Sequence, residues 1–139
     1  MVGIDDLRTA EFAFPGALRD RLVGAILDGA KTATASLLVE YADGLEPMPQ
    51  VGERTAVVDS AGRRVAVIET TDVRVVPFVG VGVQFAVDEG EGFESIDDWR
   101  RAHVRFWESD EMRAELERAD FVVRDDTQVV LERFRRVWP

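Results

Sequence analysis

The stretch Lys31-Thr32-Ala33-Thr34-Ala35-Ser36 puts one amine and three hydroxyls inside six residues. A threonine hydroxyl is a weak nucleophile until a neighbouring base takes its proton, and a desolvated lysine amine can be that base. Lys31 also stands out by composition: of 17 basic residues, sixteen are arginine and it is the single lysine. The same residues have a reading without chemistry, in which Lys31 caps the last carbonyls of a helix and the threonines open a strand.

Other reactive patterns are missing. None of Ser36, Ser60, Ser95 and Ser109 lies in G-x-S-x-G. Gly24 to Thr32 imitates a phosphate-binding loop, but has one residue too many before its lysine and ends a helix instead of starting one. With no cysteine and His103 as the only histidine, thiolate and multi-histidine metal sites are excluded within one chain. No metal and no other cofactor is expected. Glu69 interrupts the apolar run Val65-Ala66-Val67-Ile68, where a carboxylate is costly unless it is paired or at work.

These residues must be held by a small fold. At 139 residues the chain suits one domain. A helix is expected from Pro15, with Leu18, Leu22, Val23 and Ile26 on one face and Gly29 ending it. Gly44, Pro47 and Pro49 make 42–50 a loop. Residues 55–59 and 64–72 read as a hairpin around Ser60-Ala61-Gly62, extended to Val76 and stopped by Pro77. Glu89-Gly90-Glu91-Gly92 reads as a solvated acidic loop. Ser95 and Ser109 are N-caps of two helices, the first carrying Ile96, Trp99, His103 and Phe106 on one face. Trp99, Phe106, Trp107 and Trp138 read as core. Phe121 to Val123 and Val129 to Trp138 read as two further strands. Strands grouped in the middle and at the end, not alternating with helices, indicate an α+β fold with a small antiparallel sheet or barrel. The first residues, 1–11, read as a loose acidic arm.

The net charge of −10 opposes duplex DNA, which needs clustered cations. A small ligand or a short single strand in a locally basic cleft fits better. No apolar run is long enough to span a membrane, and the N-terminus has no export signal, so the expected compartment is the cytoplasm.

Gly29, Lys31 and Thr34 form G-x-K-x-x-T after the first helix, and the chain here resembles the ASCH family of the PUA-like fold. The likeness continues in order through Pro49 to Glu53, Ile68 to Thr71, Pro77-Phe78, Glu89 to Gly92 and Trp99-Arg100-x-x-His103, covering 12–138 as one domain. Residues 73–108 resemble the longer bacterial branch. The resemblance implies a small, mostly antiparallel PUA-like β-barrel with surrounding helices, and a cleft faced by G-x-K-x-x-T. It implies a nucleoside or short single-stranded RNA as partner. Short members similar at the motif hydrolyse the acetyl amide of N4-acetylcytidine, using residues that match Lys31, Thr34 and Glu69. By that resemblance Lys31 is base or proton carrier, Thr34 nucleophile, and Glu69 orients Lys31 or protonates the leaving amine. Ser36 stands where those enzymes have arginine, and with Arg100 and His103 it is a candidate for substrate binding. Arg100 alternatively pairs with Asp97 or Asp98. The other readings are a non-catalytic module for single-stranded RNA or a nucleotide, and a ribonuclease using the same cleft.

Overall fold

A computed structural model describes residues 3–44 and 46–139. Met1 and Val2 of the expected arm and Leu45 of the expected loop lie outside the described residues. The elements run β1 (Thr9–Ala10), α1 (Ala17–Asp28), β2 (Ala33–Leu37), β3 (Arg54–Val58), β4 (Arg64–Pro77), α2 (Val83–Asp88), α3 (Ile96–Trp107), α4 (Asp110–Leu116) and β5 (Gln128–Trp138). They build one α+β domain around a five-stranded sheet of order β1-β3-β4-β5-β2, antiparallel except for β1 beside β3.

Local chemistry places the helix ends. Gly29 takes the left-handed conformation that ends α1, and the Lys31 N–H returns to the Ala25 carbonyl. Ser95 and Ser109 accept from the Asp98 and Met112 amides, capping α3 and α4 as expected.

A core cluster packs on part of each face of the sheet. Residues β-paired on one face (Val57, Ala66, Ile68, Phe134) pack with Phe12 and with Val23 and Ile26 of α1. On the other face Ala33, Leu37, Val129 and Leu131 meet Phe78, Phe85, Trp99, Trp107 and Met112 from the α2–α4 side. Trp99 and Trp107 are core, as expected, but Trp138 is half exposed at the end of β5.

Three expectations are corrected. The sheet is not closed into a barrel: among the described residues no pairing joins β1 to β2, so these remain two edges. The arm is not loose throughout, because Thr9 and Ala10 pair with Ala56 and Val57. Phe121 to Val123 is not a strand; the Val123 amide is bound by the Glu108 carboxylate, not by a neighbouring backbone.

Candidate functional site

The open side of the sheet is a cleft of about 1410 Å³. Its walls come from Thr9 and Ala10 on one edge strand and Thr34 and Ser36 on the other, and its floor from Thr55, Ile68 and Glu132. The EGEG segment and His103 of α3 complete it. The gap that prevents barrel closure is therefore the cleft itself.

Strand alternation decides which side chains enter. In β2, Ala33, Ala35 and Leu37 turn to the core, leaving Thr34 and Ser36 for the cleft. Thr34 is the cross-strand partner of Glu132 in β5. Directly opposed residues have Cβ atoms about 5 Å apart, so this hydroxyl and this carboxyl are neighbours. Glu132 accepts from Thr70 Oγ1 at 2.6 Å. Burial pushes its carboxyl above the usual range, against the Thr70 hydrogen bond. Ser36 Oγ lies 2.7 Å from the Tyr41 hydroxyl, and burial pushes the Tyr41 phenol up as well.

Lys31 is 2% exposed. Its ammonium donates to Ala33 O at 2.8 Å, Glu89 O at 3.3 Å and Glu91 Oε2 at 3.2 Å. All three N–H donors of the ammonium are thus engaged. Lys31 fastens the EGEG loop to β2, and Gly90 is seated against the Ala30–Lys31 backbone. The solvated-loop reading is corrected here: Glu89 is 1% exposed, with His103 Nε2 3.2 Å from its Oε2. His103 Nδ1 lies 2.9 Å from the Trp99 carbonyl, and the His103 ring stacks on Trp99 at 4.0 Å.

Two expected site residues lie elsewhere. Glu69 sits between Ile68 and Thr70, which face the cleft side, and so turns to the opposite face. There it is registered between Arg54 and Arg135, bound by Arg135 at 2.9 Å and by Arg54 at 3.0 Å. The Arg135 and then the Arg54 hydrogen bonds hold its carboxyl below the usual range. It is paired with these two arginines away from the cleft lining, so the structure does not bring it together with Lys31 and Thr34. Arg100 also does not line the cleft; it donates to Val79 O at 3.2 Å and lies 3.7 Å from Asp97.

Lys31, Thr34, Ser36 and His103 all line the cleft, as do Glu132, Glu89 and Glu91. Around them Glu40, Glu46, Glu53, Glu111 and Glu115 outnumber Arg8, Arg21 and Arg105. The lining is acidic. No group of three or more carboxylate or imidazole side chains among the described residues is arranged to hold a metal ion. No helix among them is long and apolar enough to cross a membrane.

The model of the ASCH domain matches residues 10–138. The chain belongs to the ASCH domain family. This is a family proposed to bind RNA. A crystal structure of an ASCH domain from Lactobacillus crispatus JV V101 is 32% identical over 95% of this chain and 80% of that one, with a TM-score of 0.81. A protein of Enterococcus faecalis V583 is 28% identical over 94% of this chain and 76% of its own, also with a TM-score of 0.81. A hypothetical protein at 16% identity and a TM-score of 0.55, over 85% of this chain and 93% of its own, shares the fold. No curated protein matches the chain. The ASCH segment begins with the second residue of β1, consistent with that strand being part of the domain.

Proposed function

We propose that this ASCH domain binds a nucleoside-sized ligand in the cleft and hydrolyses an exocyclic amide on a modified pyrimidine. The observation that carries this reading is the Thr34–Glu132 cross-strand pair, a hydroxyl and a carboxyl of raised pKa side by side on a cleft wall. A general base works best when its pKa approaches the working pH, and burial moves Glu132 in that direction. Glu132 takes the Thr34 proton as Oγ1 attacks the amide carbonyl carbon. The C–N bond breaks and the amine leaves protonated. Water then cleaves the threonyl ester, releasing the acid and restoring both side chains.

Lys31 has another part. With its donors on two carbonyls and a carboxylate, it serves as a clamp that stations the EGEG wall beside Thr34. Ser36 and Tyr41 offer hydroxyls to the base or sugar.

The acidic lining favours an uncharged nucleoside over a polyphosphate strand. The same repulsion counts against a ribonuclease. Incubation with N4-acetylcytidine and a panel of acylated nucleosides tests the reading, with release of the free amine expected. If none is turned over, the hydrolase reading fails. If short single-stranded RNA instead binds with an affinity that falls steeply with salt, the non-catalytic module is the correct one.

A further inference from the structure

One buried group on the cleft wall has a vacant acceptor. Glu89 Oε2 faces His103, while Glu89 Oε1 is buried and meets no donor among the described residues. The Glu91 and Glu89 carboxyls act on each other, a mutual interaction that lowers Glu89 and raises Glu91. Glu91 Oε2 is in turn 3.2 Å from Lys31 Nζ. Two ionised carboxylates cannot satisfy each other, because each only accepts. A single proton between them turns the contact into a hydrogen bond. Every oxygen along His103–Glu89–Glu91–Lys31 then has a donor, which is the rule for buried polar groups.

We propose that Glu89 and Glu91 share one proton at neutral pH, carried by Glu91, and that Glu91 is the acid that protonates the leaving amine. The shared proton rests on the vacant Glu89 acceptor and on the His103 and Lys31 contacts either side of it; the donation step rests on the hydrolase reading. Glu91 is the holder for two reasons. His103 engages Glu89 and stabilises negative charge there. Glu91 also keeps a side-chain exposure of 20%, against 1% for Glu89, so only Glu91 can reach a ligand. The titration tendencies agree. Burial raises the Glu91 carboxyl and Lys31 opposes that rise. Burial also works against ionised Glu89, but the His103 hydrogen bond and the charges around it outweigh burial and hold Glu89 below the usual range. The titratable groups facing the pair are Lys31, from the link into β2, and His103, from α3.

The protons balance. Glu132 receives the Thr34 proton, and the Glu91 carboxylic acid gives its proton to the nitrogen as the C–N bond breaks. Glu91, now a carboxylate, takes a proton from the attacking water. Glu132 returns its proton to Thr34 Oγ1 as the ester opens. One water is consumed, and one acid and one amine leave. His103 is a positioning residue that acts through Glu89.

Lys31 makes the test direct, because it is the only lysine and gives one side-chain signal in a lysine-labelled sample. Glutamine is the neutral isostere of a protonated glutamate. Glu91→Gln should therefore leave the Lys31 titration midpoint within about 0.3 pH units of wild type, whereas removing a real carboxylate beside an ammonium lowers it by roughly one unit or more. In infrared difference spectra at pH 7, wild type should show a protonated-carboxyl stretch missing from Glu91→Gln. Glu89→Gln should lose that band too, because Glu91 then ionises against Lys31. A lysine midpoint that falls by a unit in Glu91→Gln, or a protonated-carboxyl absorption unchanged between wild type and Glu91→Gln, overturns the shared proton even if wild type hydrolyses amides. If wild type turns over an acylated nucleoside, Glu91→Gln should lower kcat roughly 10²–10⁴-fold and remove the alkaline limb of its pH profile. Retained kcat overturns the acid role. Failure of the whole nucleoside panel overturns the hydrolase reading and donation with it, while the two spectroscopic results still decide the pair.

Discussion

Gly90→Ala is the sharpest structural test of the cleft wall. Gly90 has φ +69°, and a Cβ there would lie 2.3 Å from Ala30 O, 2.5 Å from Ala30 C and 2.7 Å from Lys31 N. All three are backbone atoms and cannot swing aside. The left-handed conformation costs a non-glycine residue about 1 kcal/mol. Forcing a methyl group into packed surroundings costs about 1–3 kcal/mol more. Gly92→Ala is the control, since Gly92 has φ +86° and nothing within 4 Å of an added Cβ. Gly92→Ala should cost only the conformational part, about 1 kcal/mol. Urea denaturation followed by Trp99 and Trp107 fluorescence should place Gly90→Ala about 1–3 kcal/mol below Gly92→Ala. If the loop lifts off to relieve the clash, Lys31 loses Glu89 O and Glu91, and its unique NMR signal moves. Two variants equal within about 0.5 kcal/mol, the resolution of such comparisons, together with an unmoved lysine signal, would mean that the loop is not seated on Ala30 and Lys31.

Further expectations follow from the same geometry. Glu69→Gln should leave ligand affinity and turnover at wild-type levels, while Glu132→Gln should abolish turnover; isothermal titration and amine release decide, and the opposite ranking would restore Glu69 to the site. Burial pushes the Glu40 carboxyl up to about 7, despite the hydrogen bond from Leu37 N. A folded-state pKa above the unfolded value makes the protonated form the stabilising one. Its contribution is therefore whole below pH 4.5 and lost as pH climbs through about 7. Wild type should lose roughly 3 kcal/mol relative to Glu40→Gln across that window, and parallel stability curves would refute it. Arg19, 4% exposed, donates to Phe12 O at 3.2 Å and Ala13 O at 2.8 Å. Arg19→Met should strand both carbonyls and cost about 2–4 kcal/mol in urea denaturation; a loss below about 1 kcal/mol would show that segment 12–13 is held by other means.

What the sequence determined by itself is whatever short-range physics decides. Gly29 ends α1, Ser95 and Ser109 start α3 and α4, and the apolar run broken at Ser60-Ala61-Gly62 folds as a hairpin, each through contacts a few residues apart. Lys31, Thr34 and Ser36 were legible as a site because they are neighbours in the chain and stand at a helix–strand junction. His103 was legible by its spacing from Trp99. Glu69 and Glu132 carry almost the same local signal, a carboxylate after an apolar run in a strand. Only the tertiary structure separated them. Side chains alternate along a strand, and β4 has register shifts at Val67/Ile68 and Thr70/Asp72, so its pairing could not be counted out from the sequence. Glu132 could have been suspected from the run Val129-Val130-Leu131 before it, but its partnership with Thr34 depends on two strands nearly a hundred residues apart. Phe121 to Val123 has strand-like residues but no partner strand among the described residues, and β propensity without a partner does not form a sheet. The EGEG segment reads as solvated in the sequence because acids usually are. It is buried because Lys31 and His103, 58 residues before Glu89 and 14 after it, converge on its carboxylates, and long-range convergence of that kind leaves no pattern in a single chain's local sequence.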